Sequence, residues 1–423
     1  MSKLPPSNLA TEQHGSLNSN LTKKGINMGN YIKGTKEDMP ELMDFANMVF
    51  SMSSGSIDFE RLLPKAYTED RNMLATHHLI KEEGHIKALI DVLPMQLRLG
   101  QENLKAGYIG TVSVHPKARG KKYMITLMEQ VEKQAREDGM DMLILDGNRH
   151  RYQHYGFEKA GMKYCFNITE DSVRHGCHAL SCEEKDYQFV LLQEKDQRWI
   201  DVAYALYQNK NVITRTREDF FLCLSSWEAD TFVVLDGEEC VGYLNVAANE
   251  RNIFEFELVN IAELPFIIKA FMDEIGSDEL GIHAAMDEQQ KIERLDCIAD
   301  YYTVNTSHQI KILHYENVLS FMLKWKQAMF KNENLLQEGK YVIGVYSKET
   351  KTQKRFLLQY MSEEIEVLQT DLEADIVLEE KELVKTLTTS FYYHTMQKPN
   401  SALSKAPQGW FPLPFFLPEA DAF

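Results

Sequence analysis

The run Val112-Ser-Val-His-Pro-Lys-Ala-Arg-Gly-Lys-Lys-Tyr-Met-Ile125 has the residue types of an anion-binding turn. A β-branched stretch ends at Val114, Pro116 and Gly120 break it, and helical spacing begins near Lys122. The first turn of a helix leaves backbone N–H groups without carbonyl partners, and the helix dipole favours an anion there. Arg119, Lys121 and Lys122 add positive charge beside it. Such a turn suits a pyrophosphate; an exposed basic loop is the alternative reading of the same residues. Further on, Arg151-Tyr-Gln-His-Tyr-Gly-Phe157 sets a phenol, Tyr152, ahead of an aromatic-glycine-aromatic turn. A phenol can protonate a leaving group, and His150 and His154 flank it as candidate relays. His175, Cys177, His178 and Cys182 lie close in sequence, but the spacing matches no common zinc pattern, so no metal is expected.

The elements that must position these groups follow the order β-α-β-β-β-α-β. The pattern predicts a strand at 31–33, a helix over 37–51, strands at 75–81, 86–97 and 104–114, and a helix from about 122. Met124, Leu127, Met128, Val131 and Ala135 give that helix one apolar face, and Gly139 suits its C-terminal cap. A buried strand at 142–145 and a loop over 147–153 follow. The expectation is an α/β domain of the α+β kind, with a mixed, mostly antiparallel sheet around one central helix, over residues 30–170. Residues 171–305 partly repeat that layout without a counterpart of the basic loop, and residues 306–395 form a third α/β unit. Residues 1–29, rich in Ser, Asn and Lys, read as a flexible leader without a signal-peptide core. Residues 396–423 are a tail whose apolar end, Trp410 to Leu417, should pack against something.

The segment Arg119-Gly-Lys-Lys-Tyr-Met124, between a long strand and an amphipathic helix, resembles the loop of the GNAT N-acetyltransferases, whose pattern is Arg/Gln-x-x-Gly-x-Gly/Ala. Arg119 matches; Lys122 stands in place of the first glycine and Met124 in place of the small residue. The resemblance implies acetyl-CoA as cosubstrate. Its pantetheine arm would pair with Val112, Ser113 and Val114, and its pyrophosphate would lie on Arg119, Gly120, Lys121, Lys122, Tyr123, Met124 and Ile125. Gly147 and Asn148 would be further contacts. Over about residues 30–423 the chain resembles a narrower group, the enhanced-intracellular-survival (Eis) type. That type has a GNAT domain, a degenerate second copy, a C-terminal sterol-carrier-protein-like domain and a hexameric assembly. The resemblance implies Tyr152 as general acid, with Tyr155 the runner-up, and the terminal carboxylate of Phe423 as general base. An α-carboxyl is ionised at neutral pH and can take a proton from an attacking amine. Asp58, Glu60 and Asp70 lie in the region after the first helix, which often lines the acceptor pocket in this family; a solvated face is the alternative reading of the same residues.

Composition limits the alternatives. A 44% hydrophobic share supports real cores, and no run approaches the length of a membrane span. The formal charge of −17 argues against a nucleic-acid partner and is compatible with a small cationic amine, aminoglycoside- or polyamine-like. Six scattered cysteines without a CxxC pair fit a reduced, cytoplasmic protein. Transfer to protein lysines and a non-catalytic ligand-binding role remain open beside the small-amine reading, and a homo-oligomer is expected.

Overall fold

The computed structural model describes residues 29–68, 71, 73–180, 185–208, 212–247, 252–330 and 335–423. Asp70, Cys182 and the leader before Gly29 lie outside the described residues. The strands are β1 Asn30–Lys33, β2 Thr76–Glu82, β3 His85–Leu99, β4 Glu102–Val114, β5 Met142–Leu145, β6 Glu158–Lys159, β7 Lys163–Thr169, β8 Tyr187–Leu191 and β9 Ala229–Asp236. They continue as β10 Glu239–Ala247, β11 Asn252–Leu258, β12 Glu279–Ala285, β13 Tyr301–Asn305, β14 Gln309–Ile312, β15 Gly339–Ser347, β16 Thr352–Met361, β17 Glu364–Gln369 and β18 Ile376–Glu379. The first five helices are α1 Met39–Ser54, α2 Phe59–Leu62, α3 Pro64–Tyr67, α4 Tyr123–Glu137 and α5 Arg149–Tyr152.

Three sheets result, ordered β1-β2-β3-β4-β5-β14-β6, β13-β7-β12-β11-β10-β9-β8 and β17-β16-β15-β18. In the first, only the β4–β5 pair is parallel. Strand alternation sends Leu79, Leu89, Met142 and Ile144 to the core under α1, and Ile80, Ala88, Ile90, Leu143 and Leu145 to the core under α4. Helix α4 meets that second core with Leu127, Met128, Val131 and Ala135, four residues at helical spacing.

The sheets cross the limits that the sequence suggests at 170 and 306. β7 belongs to the second sheet, where it pairs with β12 and β13, and β14 belongs to the first, between β5 and β6. Register places them there: the inserted strand sends Ile310 and Ile312 into the same core as Met142 and Ile144. The predicted loop at 147–153 is instead the short helix α5, N-capped by the Asn148 side chain on the Arg151 N–H.

The tail is buried. Trp410, Leu413, Phe415 and Leu417 are wholly buried and share one core with the first and third units. The Trp410 indole N–H donates to Gln337 O at 2.9 Å, and the Leu413 N–H to Leu387 O at 2.6 Å. Gly161 lies so close to the tail that a Cβ there would sit 1.8 Å from Phe415 O. Among the described residues, no helix is long and apolar enough to cross a membrane.

Candidate active site

A cleft of about 1520 Å³ opens where β4 parts from β5. The two strands pair in parallel only from Ala106–Met142 to Ile109–Leu145. Just beyond, the register between β3 and β4 slips, with Leu89 opposite Ser113 and Asp91 opposite Gly110. Thr111 at this bulge has φ 51°, left-handed for a β-branched residue. The bulge twists β4 away from β5 and leaves a slot lined by Gly110, Thr111, Val112 and Val114.

Under the bulge lies a buried hydrogen-bonded chain. The Tyr67 hydroxyl meets Thr111 Oγ1 and donates to Asp91 Oδ2 at 2.6 Å, and Asp91 Oδ1 lies 2.7 Å from His77 Nδ1. All four side chains are buried. Burial, and the Asp91 charge, push the Tyr67 phenol well above its ordinary pKa, so it stays a donor. These bonds fix the bulge from beneath.

At the other edge of the slot, a 3₁₀ turn at Pro116–Ala118 leads through Gly120, φ 84°, and Lys122, φ 63°, into α4. No side chain caps the start of α4, and its first turn lines the cleft, an arrangement that suits an anion. Arg119, Gly120 and Lys122 line the cleft and are exposed; Tyr123, Met124 and Ile125 line it too. Lys121 does not. Its ammonium bonds both carboxylate oxygens of Glu82, at 2.7 and 2.9 Å. Val112 and Val114 line the slot, whereas the Ser113 side chain is buried and donates to Thr111 O at 3.0 Å.

Tyr152 reaches the cleft from α5 and is largely buried. Its ring fills the space over Gly147, where a Cβ would come 2.7 Å from Cε2. Burial raises the Tyr152 phenol above its ordinary value, and neighbouring Arg151 pulls it partly back. It is therefore protonated at neutral pH. Gly147 and Asn148 also line the cleft, as does Asp146. Burial pushes the Asp146 carboxyl up, but the His308 imidazole 3.1 Å away, the Lys159 charge and the hydrogen bond from Tyr108 outweigh that and leave it low. Neither His150 nor His154 lines this cleft; both are exposed.

Phe423 is buried at the back of the cleft. Its ring packs on Tyr67, centroids 5.7 Å apart, and edge-on to Tyr108 at 6.5 Å. Gly110 is required here: a Cβ would lie 2.7 Å from the Phe423 ring and 3.0 Å from its carboxyl carbon. An isolated glycine inside an apolar strand pattern is the sequence signal that marks this approach. Phe50, Phe59, Leu62, Trp227 and Phe254 line the same cleft, as do Glu228 and Glu419. Asp58 and Glu60 are exposed and off the cleft; Asp58 instead N-caps α2. Trp227, Glu228, Phe254 and His283 come from the second unit, which the sequence reading did not connect with the site. Among the described residues, no three His, Cys, Asp or Glu side chains gather to hold a metal.

Residues 30–160 match the family model described as an acetyltransferase (GNAT) domain. No curated protein matches the chain. Among solved structures, the chain is similar to a GCN5-related N-acetyltransferase from Anabaena variabilis, at 17% identity and TM-score 0.65, over 93% of this chain and 100% of that one. A probable N-acyltransferase from Enterococcus faecalis is similar at 12% identity and TM-score 0.65, over 93% and 99% of the two chains. Eis1 from Mycobacterium abscessus is similar at 12% identity and TM-score 0.61, over 93% and 100%. The chain thus carries a GNAT acetyltransferase domain at residues 30–160, within an α+β fold that it shares along most of its length with these structures.

Proposed function

We propose that the chain transfers the acetyl group of acetyl-CoA directly to a primary amine of a small cationic acceptor, aminoglycoside- or polyamine-like. The observation that carries this reading is the convergence on one cleft of a splayed strand, an uncapped helix start, a protonated phenol and the end of the tail. The slot backbone at Val112 to Val114 suits an amide-bearing pantetheine arm. Arg119, Gly120, Lys122 and the first turn of α4 suit its pyrophosphate, with Gly147 and Asn148 alongside.

In the proposed reaction the amine nitrogen attacks the thioester carbonyl and loses a proton to the Phe423 carboxylate. The C–S bond then breaks, and the thiolate takes the Tyr152 phenolic proton, giving an amide and free CoA thiol. A backbone N–H near Val114 would polarise the carbonyl. Asp146, Glu228 and Glu419 line the cleft paired with His308, Arg61 and Lys163, so the cationic acceptor class is supported by the Eis-type resemblance and by the chain's net charge of −17. The third unit is read as sterol-carrier-protein-like. The assembly is read as a homo-oligomer, hexameric as in the Eis type, working in the cytoplasm.

The test is thiol release from acetyl-CoA by untagged protein against aminoglycosides, polyamines and lysine peptides. Turnover on the small amines is expected. Turnover confined to lysine peptides would replace the acceptor class, and no turnover together with no CoA binding would overturn the reading.

A further inference from the structure

The last residues of the described tail are gripped one by one, by residues of both the first and the second unit. The Arg215 guanidinium forks onto Asp421, with Nε to Oδ1 at 2.9 Å and Nη2 to Oδ2 at 2.8 Å. The same group bonds Glu255 at 3.0 and 2.6 Å and stacks 4.2 Å over the Tyr207 ring. Both neighbouring carbonyls are taken as well. Lys65 Nζ donates to Ala420 O at 2.7 Å and to Ala422 O at 2.5 Å, and Trp227 Nε1 donates to Ala422 O at 3.0 Å. Lys163 pairs with Glu419.

A buried Arg between two carboxylates is an expensive way to stabilise a fold, because apolar packing usually serves as well. It does fix one conformation. Trp227 and Glu228, at the same contact, both have left-handed backbone, φ 62° and 54°, a strain that clusters at functional sites. These bonds stop one residue short of Phe423, whose carboxyl carbon is pressed against Gly110.

We propose that Arg215 is a positioning residue: through Asp421 it seats the Phe423 carboxylate in the cleft, so that the second unit completes the site of the first. This rests on the reading of Phe423 as the base. A base acts only within hydrogen-bond reach of the proton that it takes, so a small misplacement of the tail is felt in the rate. Lys65 fits the same role, since its buried ammonium donates to both the Ala420 and the Ala422 carbonyl.

Replacing Arg215 would leave Glu255 and Asp421 uncompensated and risks the fold, so the test uses Asp421→Asn in the full chain, which keeps the Glu255 pair. Carboxypeptidase A reads the seating of the tail independently of catalysis. Release of Phe423 should be slow from the parent protein and at least about tenfold faster from the variant, while kcat falls about tenfold and the KM for acetyl-CoA is nearly unchanged. Equal release rates, or faster release with kcat intact, would overturn the proposal. The clipped parent protein separates the two readings. If it turns over at the full rate, the base reading fails, whatever the variant does. If it is inactive while Asp421→Asn is fully active, only the positioning role fails.

Discussion

The first and second sheets repeat one arrangement and differ where an anion would bind. In the first, β4 runs through a 3₁₀ turn and α4 before β5 returns parallel to it. In the second, β11 runs through a 3₁₀ turn at Ile261–Glu263 and the helix Leu264–Ile275 before β12 returns parallel. The first connection, residues 115–122, carries Lys117, Arg119, Lys121 and Lys122 ahead of an uncapped helix start. The second, residues 259–263, has no Lys or Arg, and its Glu263 accepts bonds from Lys185 and Tyr187. Its helix start also lacks a side-chain cap, but it begins with Leu264, Pro265, Phe266 and Ile267, all buried. The same topology thus offers helix N–H groups to an anion in one copy and packs them away in the other. Chemistry follows the connection and not the fold. The second unit instead meets the first through the tail, at Arg215 and Trp227.

That contrast can be broken at several points. The largest effect is expected from Tyr152→Phe, which should lower kcat by about 100-fold or more with the KM for acetyl-CoA little changed. Steady-state kinetics with both substrates varied would check it, and an unchanged kcat would remove Tyr152 as the acid. Because burial raises the phenol, activity on the alkaline side should persist past the ordinary phenol range. Next comes the joint replacement Arg119→Ala and Lys122→Ala. It should raise the KM for acetyl-CoA about tenfold at low salt, with a smaller effect at high salt. Calorimetric titration should find one CoA site per chain, and a second site would contradict the contrast directly.

Smaller effects concern stability. Lys65 has a folded pKa of about 8, below its unfolded value, because burial disfavours its charge. Between about 8 and 10.4 the unfolded chain binds more protons, so this group's contribution to stability rises with pH across that window. Urea unfolding of the parent protein and Lys65→Met at pH 7 and pH 10 should show the difference moving in favour of the parent at high pH; a difference flat with pH would mean Lys65 is not buried charged. The smallest change is Lys122→Gly. It relieves a left-handed backbone at φ 63° and should stabilise the protein by up to about 1 kcal/mol, read as a shift in Tm.

Much of the first unit is legible in the sequence. The α4 face, the break at Pro116 and Gly120, and the four-residue apolar run of β5 are local patterns, and local patterns survive folding. The apolar end of the tail likewise announces a buried segment. The acceptor side was not legible. Asp58 and Glu60 are near the first helix in sequence, but the fold turns them to solvent. Arg215 sits in a polar run, Thr214-Arg-Thr-Arg-Glu-Asp219, that reads as an ordinary surface turn; its burial depends on Asp421, 206 residues away. The four residues of β14 carry no signal that sends them back to the first sheet, because their register is set by β5 and β6. Lys121 and Lys122 look equivalent in sequence, and only the fold assigns one to Glu82 and the other to the cleft.

On the proposed reading, the cleft of the first unit works with a base carried on the tail. The most direct measurement is thiol release from acetyl-CoA, with a saturating amine, by protein ending at Phe423 and by the same protein with one glycine added after it. The added residue replaces the carboxylate by an amide and leaves the CoA side of the cleft untouched. A fall in kcat of about 100-fold with CoA binding retained is expected. Equal turnover by the two proteins would contradict it.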